Sequence, residues 1–286
     1  MLAFAPRDRL NERDMLRPKL DPPRGVLHAR AQPFSPGYGR YWPCDELAPF
    51  VEHFWTVAWD EPTPVTREVL PHPSVHLVIE AGSSAVAGVP AGRFSRRLEG
   101  QGRVLGTKFR PGGFRPFVAR PISTLTARTV PLVELFGPSA EGLEAEVLAL
   151  ADPAAGFALV QSFLLDLRPR RDPQAELAAR IAERAATDRD IVRADELARA
   201  FSLSLRALQR LFSDYVGVPP KWVIQRYRLH EAAERIAAGG LGDGATLAHD
   251  LGFADQAHFI RAFKRVVGHA PGEYAERLAA STDRGG

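Results

Sequence analysis

The last third of the chain carries one pattern twice, which restricts that region to two copies of a single helical unit. Leu208, Arg210, Phe212, Gly217 and Pro220 return 51 positions on as Phe259, Arg261, Phe263, Gly268 and Pro271, while Leu197 and Ala198 return 50 positions on as Leu247 and Ala248. The register between the copies therefore slips by one residue part-way through the unit. Such a slip belongs in a connection, which can lengthen without moving either packed face. Apolar residues keep helical spacing on both sides of it, so each copy reads as two helices joined by a tight turn, a helix-turn-helix.

In that motif the first helix crosses the phosphate backbone and the second lies in the major groove, so the second must expose long hydrogen-bonding side chains near its start. The first copy offers Arg206, Gln209 and Arg210 on one face, with Leu205, Leu208, Leu211 and Phe212 on the face expected to pack inward and Ser204 placed to cap the helix. In the second, Asp255 stands near the cap, Gln256, Ala257, His258 and Arg261 face outward, and Phe259, Ala262 and Phe263 face inward. Arg suits the guanine edge and Gln the adenine edge. Lys264 and Arg265 lie one turn further on and suit phosphate better than bases. Gly252 supplies the sharp turn into the second reader. A solvated helix face is the alternative for any one of these side chains, but it does not predict matched polar positions in both copies.

Between the readers, residues 221–238 carry a helical stripe of Leu229, Ala232, Ala233 and Ile236. A helix of that length spans about 27 Å. Such a strut could set two readers on one DNA face about one helical turn, roughly 34 Å, apart.

Composition sets broader limits. The 286 residues suffice for two domains, and 45% apolar with 25% charged content is that of a water-soluble globular chain. No apolar stretch approaches the roughly 18 residues of a spanning helix, and no signal-peptide pattern opens the chain, so a cytoplasmic protein without membrane contact is expected, with Met15 an alternative start. The single cysteine, Cys44, excludes a disulfide framework and any Cys-rich zinc module. The net charge of +3 permits nucleic-acid binding without arguing for it, and residues 191–280 hold twelve Lys/Arg against ten Asp/Glu. Placement of charge has to carry the case.

Residues 1–37 are rich in Pro, Arg and Gly without a sustained period and read as a flexible arm. A β-rich sensor or dimerisation domain is expected over 38–168, with strands at 50–58, 68–70, 75–80, 85–89, 93–99, 104–109 and 129–132. Two amphipathic helices follow, marked by Leu143, Val147 and Leu150 and by Phe157, Val160, Leu164 and Leu167. The charged, Pro-broken run 168–173 reads as a linker, with Asp172 capping a new helix that has Pro173 at its first position. From there seven helices are expected, at 173–187, 194–201, 204–215, 221–238, 245–251, 255–267 and 271–279, forming an all-α domain over 173–280 with a tail at 281–286.

The β-rich half offers two candidate sites. His72, His76 and Glu80 would share a strand face, and such a set suits zinc or iron. Residues four apart on a strand are about 13 Å apart, however, so one metal would need a bend, and packed or surface histidines are the plainer reading. Lys108, Arg110 and Arg115 flank Gly112 and Gly113 in a segment that could hold an anionic effector or could end a strand with solvated charges. Trp42, Trp55, Trp59 and Phe54 are assigned to the core of this half, with one of them flooring a ligand pocket as the alternative.

The segments 203–212 with 216–220, and 251–263 with 267–271, resemble the two recognition helices and their exits in the AraC/XylS family of bacterial transcription regulators, and Arg226 to Leu229 resembles its connecting-helix motif. By position, the resemblance implies base contacts from Arg206, Gln209, Arg210, Gln256, Ala257, His258 and Arg261. Two residues depart from the pattern. Ala257 stands where a polar side chain is common, and Pro219 replaces a small hydroxyl residue ahead of Pro220. Residues 40–135 resemble a sensor-like region found ahead of such domains, in segments 70–77 and 106–117. Relatives with a cupin-like N-terminal half imply an α+β chain with a small β-barrel ahead of the all-α domain. The implied partners are double-stranded DNA, a small-molecule effector, RNA polymerase where the chain activates, and a second copy in a homodimer; no cofactor is implied. A metal-dependent cupin-like enzyme with an accessory helical domain is the alternative, and having Cys44 alone excludes a relative that repairs alkylated DNA through metal-bound cysteine.

Overall fold

The computed structural model describes residues 38–90, 92–239 and 241–282. The arm expected over 1–37 and the end of the tail expected over 281–286 lie outside the described residues. Six strands, β1 (Gly39–Tyr41), β2 (Val51–Val69), β3 (His76–Glu80), β4 (Ala85–Ala87), β5 (Phe94–Phe109) and β6 (Thr129–Pro131), form one antiparallel sheet in the order β1-β2-β5-β3-β4-β6. The expected barrel is not what forms. Among the described residues β1 and β6 stand at opposite edges and do not pair, so the sheet is open.

Strand lengths also differ from expectation, for a physical reason. Strands expected separately at 50–58 and 68–70 are one strand, as are those at 93–99 and 104–109, because β2 and β5 pair from Val51 opposite Phe109 to Val69 opposite Phe94. Pro62 and Pro64, which read as breaks, fall in the irregularity between Glu61 and Val65, where the ladder loses no N–H to them.

One face of the sheet is covered by helices α1 (Leu132–Phe136), α2 (Leu143–Ala149) and α3 (Pro153–Asp166), and the core lies between. Phe54 stacks on Phe157 with ring centroids 5.1 Å apart, beside Leu77, Ile79, Leu105 and Phe109. Alternation sends Trp55 and Trp59 to the opposite face, where their rings lie over Gly106 and Gly102. Trp42, expected in the core, is 42% exposed.

The C-terminal half is helical where expected: α4 (Pro173–Thr187), α5 (Ala194–Ala200), α6 (Leu205–Tyr215), α7 (Pro220–Gly239), α8 (Gly244–Asp250), α9 (Gln256–Val267) and α10 (Pro271–Thr282). Asp172 caps α4 by accepting from the Gln174 N–H at 2.8 Å. The helix at the end runs further than expected, into the residues read as a tail. Two apolar clusters divide this half. Ile181, Leu197, Leu208, Phe212, Val223 and Ile224 belong to the first, and Leu229, Ala232, Ile236, Leu247, Phe259 and Phe263 to the second.

The N-terminal half inserts one apolar side chain into each cluster: Val89 into the first, Leu70 into the second, both fully buried. Next to Leu70, the His72 and His230 rings stack with centroids 4.0 Å apart, and His230 Nε2 lies 3.3 Å from the Pro71 carbonyl oxygen. Burial, with further opposition from His230, keeps the His72 imidazole well below its ordinary pKa. Burial also brings His76 and His230 down to about 3. All three are neutral in the fold.

Because these histidines take up protons near pH 6.5 when unfolded and not until far lower pH when folded, their contribution to stability is complete above pH 6.5 and shrinks as pH falls below it. Thermal unfolding followed from pH 7.5 to 5, where most carboxylates stay ionised, should show a falling midpoint, and the His230→Asn variant should show a shallower slope. A parent slope no steeper than the variant's would contradict this account.

Candidate nucleic-acid interface

Each reader is built by the same local chemistry. In the first copy α5 ends where Ser202 N–H donates to the Arg199 carbonyl at 3.1 Å and Leu203 N–H to that of Ala198 at 2.9 Å. In the second, Gly252 N–H reaches the His249 carbonyl at 2.9 Å and Phe253 N–H that of Ala248 at 3.0 Å. Both turns pass through left-handed backbone, φ +54° at Ser202 and +72° at Gly252. The register slip then falls at Ala254, since Ser204 Oγ accepts from the Ala207 N–H (3.1 Å) and Asp255 Oδ1 from the His258 N–H (2.6 Å), both capping bonds spanning three residues. The helices α6 and α9 exit through Gly217 and Gly268, each at φ +93°.

The caps hold the two reader helices so that Arg206, Gln209 and Arg210 are exposed on α6, and Gln256, Ala257, Arg261 and Lys264 on α9. His258 is half-buried, edge-on to the Phe253 ring at 5.4 Å, so it is less available than expected. Leu208, Leu211 and Phe212 pack inward as expected, but Leu205 is 40% exposed. At the first turn of α6 there is no earlier helical turn beneath it to pack on.

Among the described residues Arg206, Gln209, Arg210 and Arg261 have no hydrogen-bond or ion-pair partner. The contrast with their neighbours is informative: Arg184, Arg189, Arg193, Arg199 and Arg235 all pair with carboxylates. Arg210 on α6 and Arg261 on α9 occupy matched positions midway along the two helices, and Arg206 stands on the first turn of α6 alone.

The candidate sites of the N-terminal half do not assemble. His72 lies ahead of β3, not on it, and stacks on His230; His76 Nδ1 accepts from Trp55 Nε1 at 3.2 Å; Glu80 pairs with Arg96. Among the described residues no group of three or more His, Cys, Asp or Glu is placed to hold a metal ion. Lys108 is not in a loop either: it ends β5, buried, with Nζ 2.8 Å from Glu52 Oε1. Burial alone would raise the Glu52 carboxyl, but the His53 hydrogen bond and the Lys108 charge bring its pKa down to about 2. Arg110 donates to the Ala48 carbonyl at 2.8 Å and Arg115 to that of Val118 at 2.7 Å, so the three expected anion ligands face different partners.

An open antiparallel sheet followed by a duplicated helix-turn-helix is the architecture of a DNA-reading domain attached to a second, β-rich domain. Residues 197–277 match the model of a helix-turn-helix domain, and residues 39–131 that of a domain of unknown function (DUF6597). The transcriptional activator RhaS of Pectobacterium carotovorum is 37% identical over 75 residues, 26% of either chain, and RclR of Escherichia coli, named an RCS-specific transcriptional activator, is 33% identical over 84 residues, 29% of either. A putative AraC-like transcription regulator of Streptomyces antibioticus is 34% identical over 79 residues. Residues 197–277 are therefore a helix-turn-helix domain, similar to those of AraC-like transcription regulators. The match spans about a quarter of the length of RhaS. ToxT of Vibrio cholerae is a distant structural counterpart, at 13% identity and a TM-score of 0.40 over 78% of this chain and 98% of its own. No described helix is long and apolar enough to cross a membrane.

The paired turns differ in one respect that can be measured. A Cβ on Gly252 would stand 2.1 Å from Val192 Cγ1 in addition to its left-handed strain. Gly252→Ala should therefore cost at least about 1–2 kcal/mol in urea unfolding, whereas Ser202→Gly, which relieves the same backbone strain, should cost less than about 0.5 kcal/mol. Equal effects at the two turns would mean that they are not conformational equivalents.

Proposed function

We propose that the chain is a sequence-specific DNA-binding transcription regulator that reads two successive major-groove segments of one duplex through α6 and α9. The observation that carries this is the pair of matched helices, each with an exposed arginine at the matched position, Arg210 and Arg261, that has no hydrogen-bond or ion-pair partner among the described residues. Arg206, Gln209 and Arg210 are assigned to bases in one half-site; Gln256 and Arg261 to bases in the other, with Ala257 in apolar contact and His258 at the margin. Lys264 is assigned to phosphate. The strut α7, 20 residues and about 30 Å long, supports a spacing near one helical turn. Regulation by a small molecule acting through the β-rich half, a homodimer, and contact with RNA polymerase belong to the same reading.

Genomic fragments retained by the purified protein would define its site. On that site Arg210→Ala and Arg261→Ala should each relax preference at a different base pair, by about 1–3 kcal/mol, roughly 5- to 150-fold. The Lys264→Ala variant should weaken binding uniformly and reduce the dependence on salt by about one counterion. Footprinting with unchanged base preference in both arginine variants would refute the assignment of the readers.

A further inference from the structure

We propose that the contact between His72 and His230 is an acid-released latch: proton uptake there frees the second helix-turn-helix from the sheet while the first stays attached. The β-rich half holds the first reader at Val89, at the Thr126 bond to the Gly217 carbonyl (2.6 Å) and at the Ser213 and Ser123 hydroxyls (3.2 Å). None of these groups titrates in the neutral or mildly acid range. The second reader is held at Leu70, two residues ahead of His72, and by the imidazole stack itself. Arg93 beside Gly268 adds a contact at the surface.

The stack is built for neutral rings. They lie 4.0 Å apart and 17° from parallel, with His230 buried and His72 half-buried. His230 Nε2 lies 3.3 Å from the Pro71 carbonyl oxygen, and Nδ1 is buried without a hydrogen-bond partner. An imidazolium donates from both nitrogens, so the second N–H on this ring would meet no acceptor.

The charges around the stack act in the same direction. His53, Lys108 and His76 stand opposite one another across β2, β5 and β3, and all three oppose a charge on His72. Arg226, one turn earlier on α7, and Lys108 oppose one on His230. His76 Nδ1 accepts from Trp55 Nε1 at 3.2 Å, a role open only to the unprotonated nitrogen. The Tyr227 ring, 6.3 Å from that of His72, stays neutral, its hydroxyl pushed above the ordinary range by burial and by the carboxylates Glu52 and Glu183. Glu52 is already paired with Lys108 at 2.8 Å, and Glu183 is exposed on α4. A proton added to the stack therefore meets cations on two sides and no unengaged acid inside the cluster.

Separating the rings returns both to water, where each titrates near pH 6.5. Closed, neither takes a proton until far lower pH, so the latch holds fully above pH 6.5 and weakens as pH falls below it. Two such histidines multiply the open fraction by about 100 between pH 7.5 and 5.5, and one alone by about 10. The release concerns only the attachment of the second reader and holds whether or not the readers bind DNA.

Opening can be read in the full chain from the reactivity of a buried thiol. Cys44→Ser removes the single cysteine, and Ser74→Cys then places a thiol at a buried position whose N–H donates to the His72 carbonyl at 2.8 Å. Ala198→Cys, in the same background, places one in the first apolar cluster instead. Labelling by dithiodipyridine, relative to the same thiol in urea at each pH, gives the fraction open. From pH 7.5 to 5.5 the protection of Ser74→Cys should fall about 100-fold. At pH 5.5 it should label at least about 10-fold faster than Ala198→Cys, because a local opening needs less free energy than global unfolding. Adding His230→Asn should cut the fall to about 10-fold. Where circular dichroism shows that this variant does not fold, His72→Asn makes the same test. His249→Asn, at an exposed histidine on α8, should change nothing. The proposal is overturned by a parent fall of less than about 10-fold, or by a fall left undiminished in the His230 or His72 variant. Equal labelling of the two thiols also overturns it, since the joint would then open only when the whole chain unfolds.

Discussion

Everything about the C-terminal half depends on one helix being shared by two cores. The N-terminal end of α7 buries Val223 and Ile224 in the first cluster, and its C-terminal end buries Leu229, Ala232, Ala233 and Ile236 in the second. Neither helix-turn-helix has enough apolar surface to close a core alone. Each completes itself on α7, so the direction of each reader is set by how it packs on a common rod. The rod's length therefore becomes the spacing between readers without any further device.

The N-terminal half braces the same arrangement from outside. Leu70 and Val89 each occupy a different core, so the two readers are tied through the sheet as well as through α7. Further contacts fall on the first reader: Thr126 Oγ1 donates to the Gly217 carbonyl at 2.6 Å, and the Ser213 and Ser123 hydroxyls are hydrogen-bonded at 3.2 Å. The second reader is held at fewer points, chiefly Leu70, the stacked His72 and His230, and Arg93 beside Gly268. A displacement of the sheet would thus carry the first reader with it more completely than the second.

The helical half was legible in the sequence because its signals are local. Ser204, Asp255 and Asp172 announce helix starts, Gly217 and Gly268 announce ends, and the repeat checks one copy against the other. In the β-rich half the same kind of reading failed where long-range pairing decides the outcome. Pro62 and Pro64 read as breaks but sit in a paired ribbon that absorbs them at a bulge, and Gly100 pairs with Glu61 beside it. The assumption that His72 lay on a strand produced a shared face that does not exist. Nothing local could reveal that it would stack on His230, 158 positions away. Arg115 and the charged linker are each visible in the sequence, but their meeting on one surface is a product of tertiary packing.

The middle of α7 is where this arrangement is least well served. Arg228 is buried between the two cores; its Nη2 donates to the carbonyls of Asp188 (2.5 Å) and Ile191 (3.2 Å) and its Nη1 is ion-paired with Glu231 at 3.7 Å, while Nε has no hydrogen-bond partner. Two residues on, His230 leaves Nδ1 buried and unpaired. Each such group costs about 1–3 kcal/mol relative to a satisfied one. They collect at the seam between the cores, the segment that must change if the readers are to alter their relative angle. A seam kept below full satisfaction can open at small cost while each core stays closed.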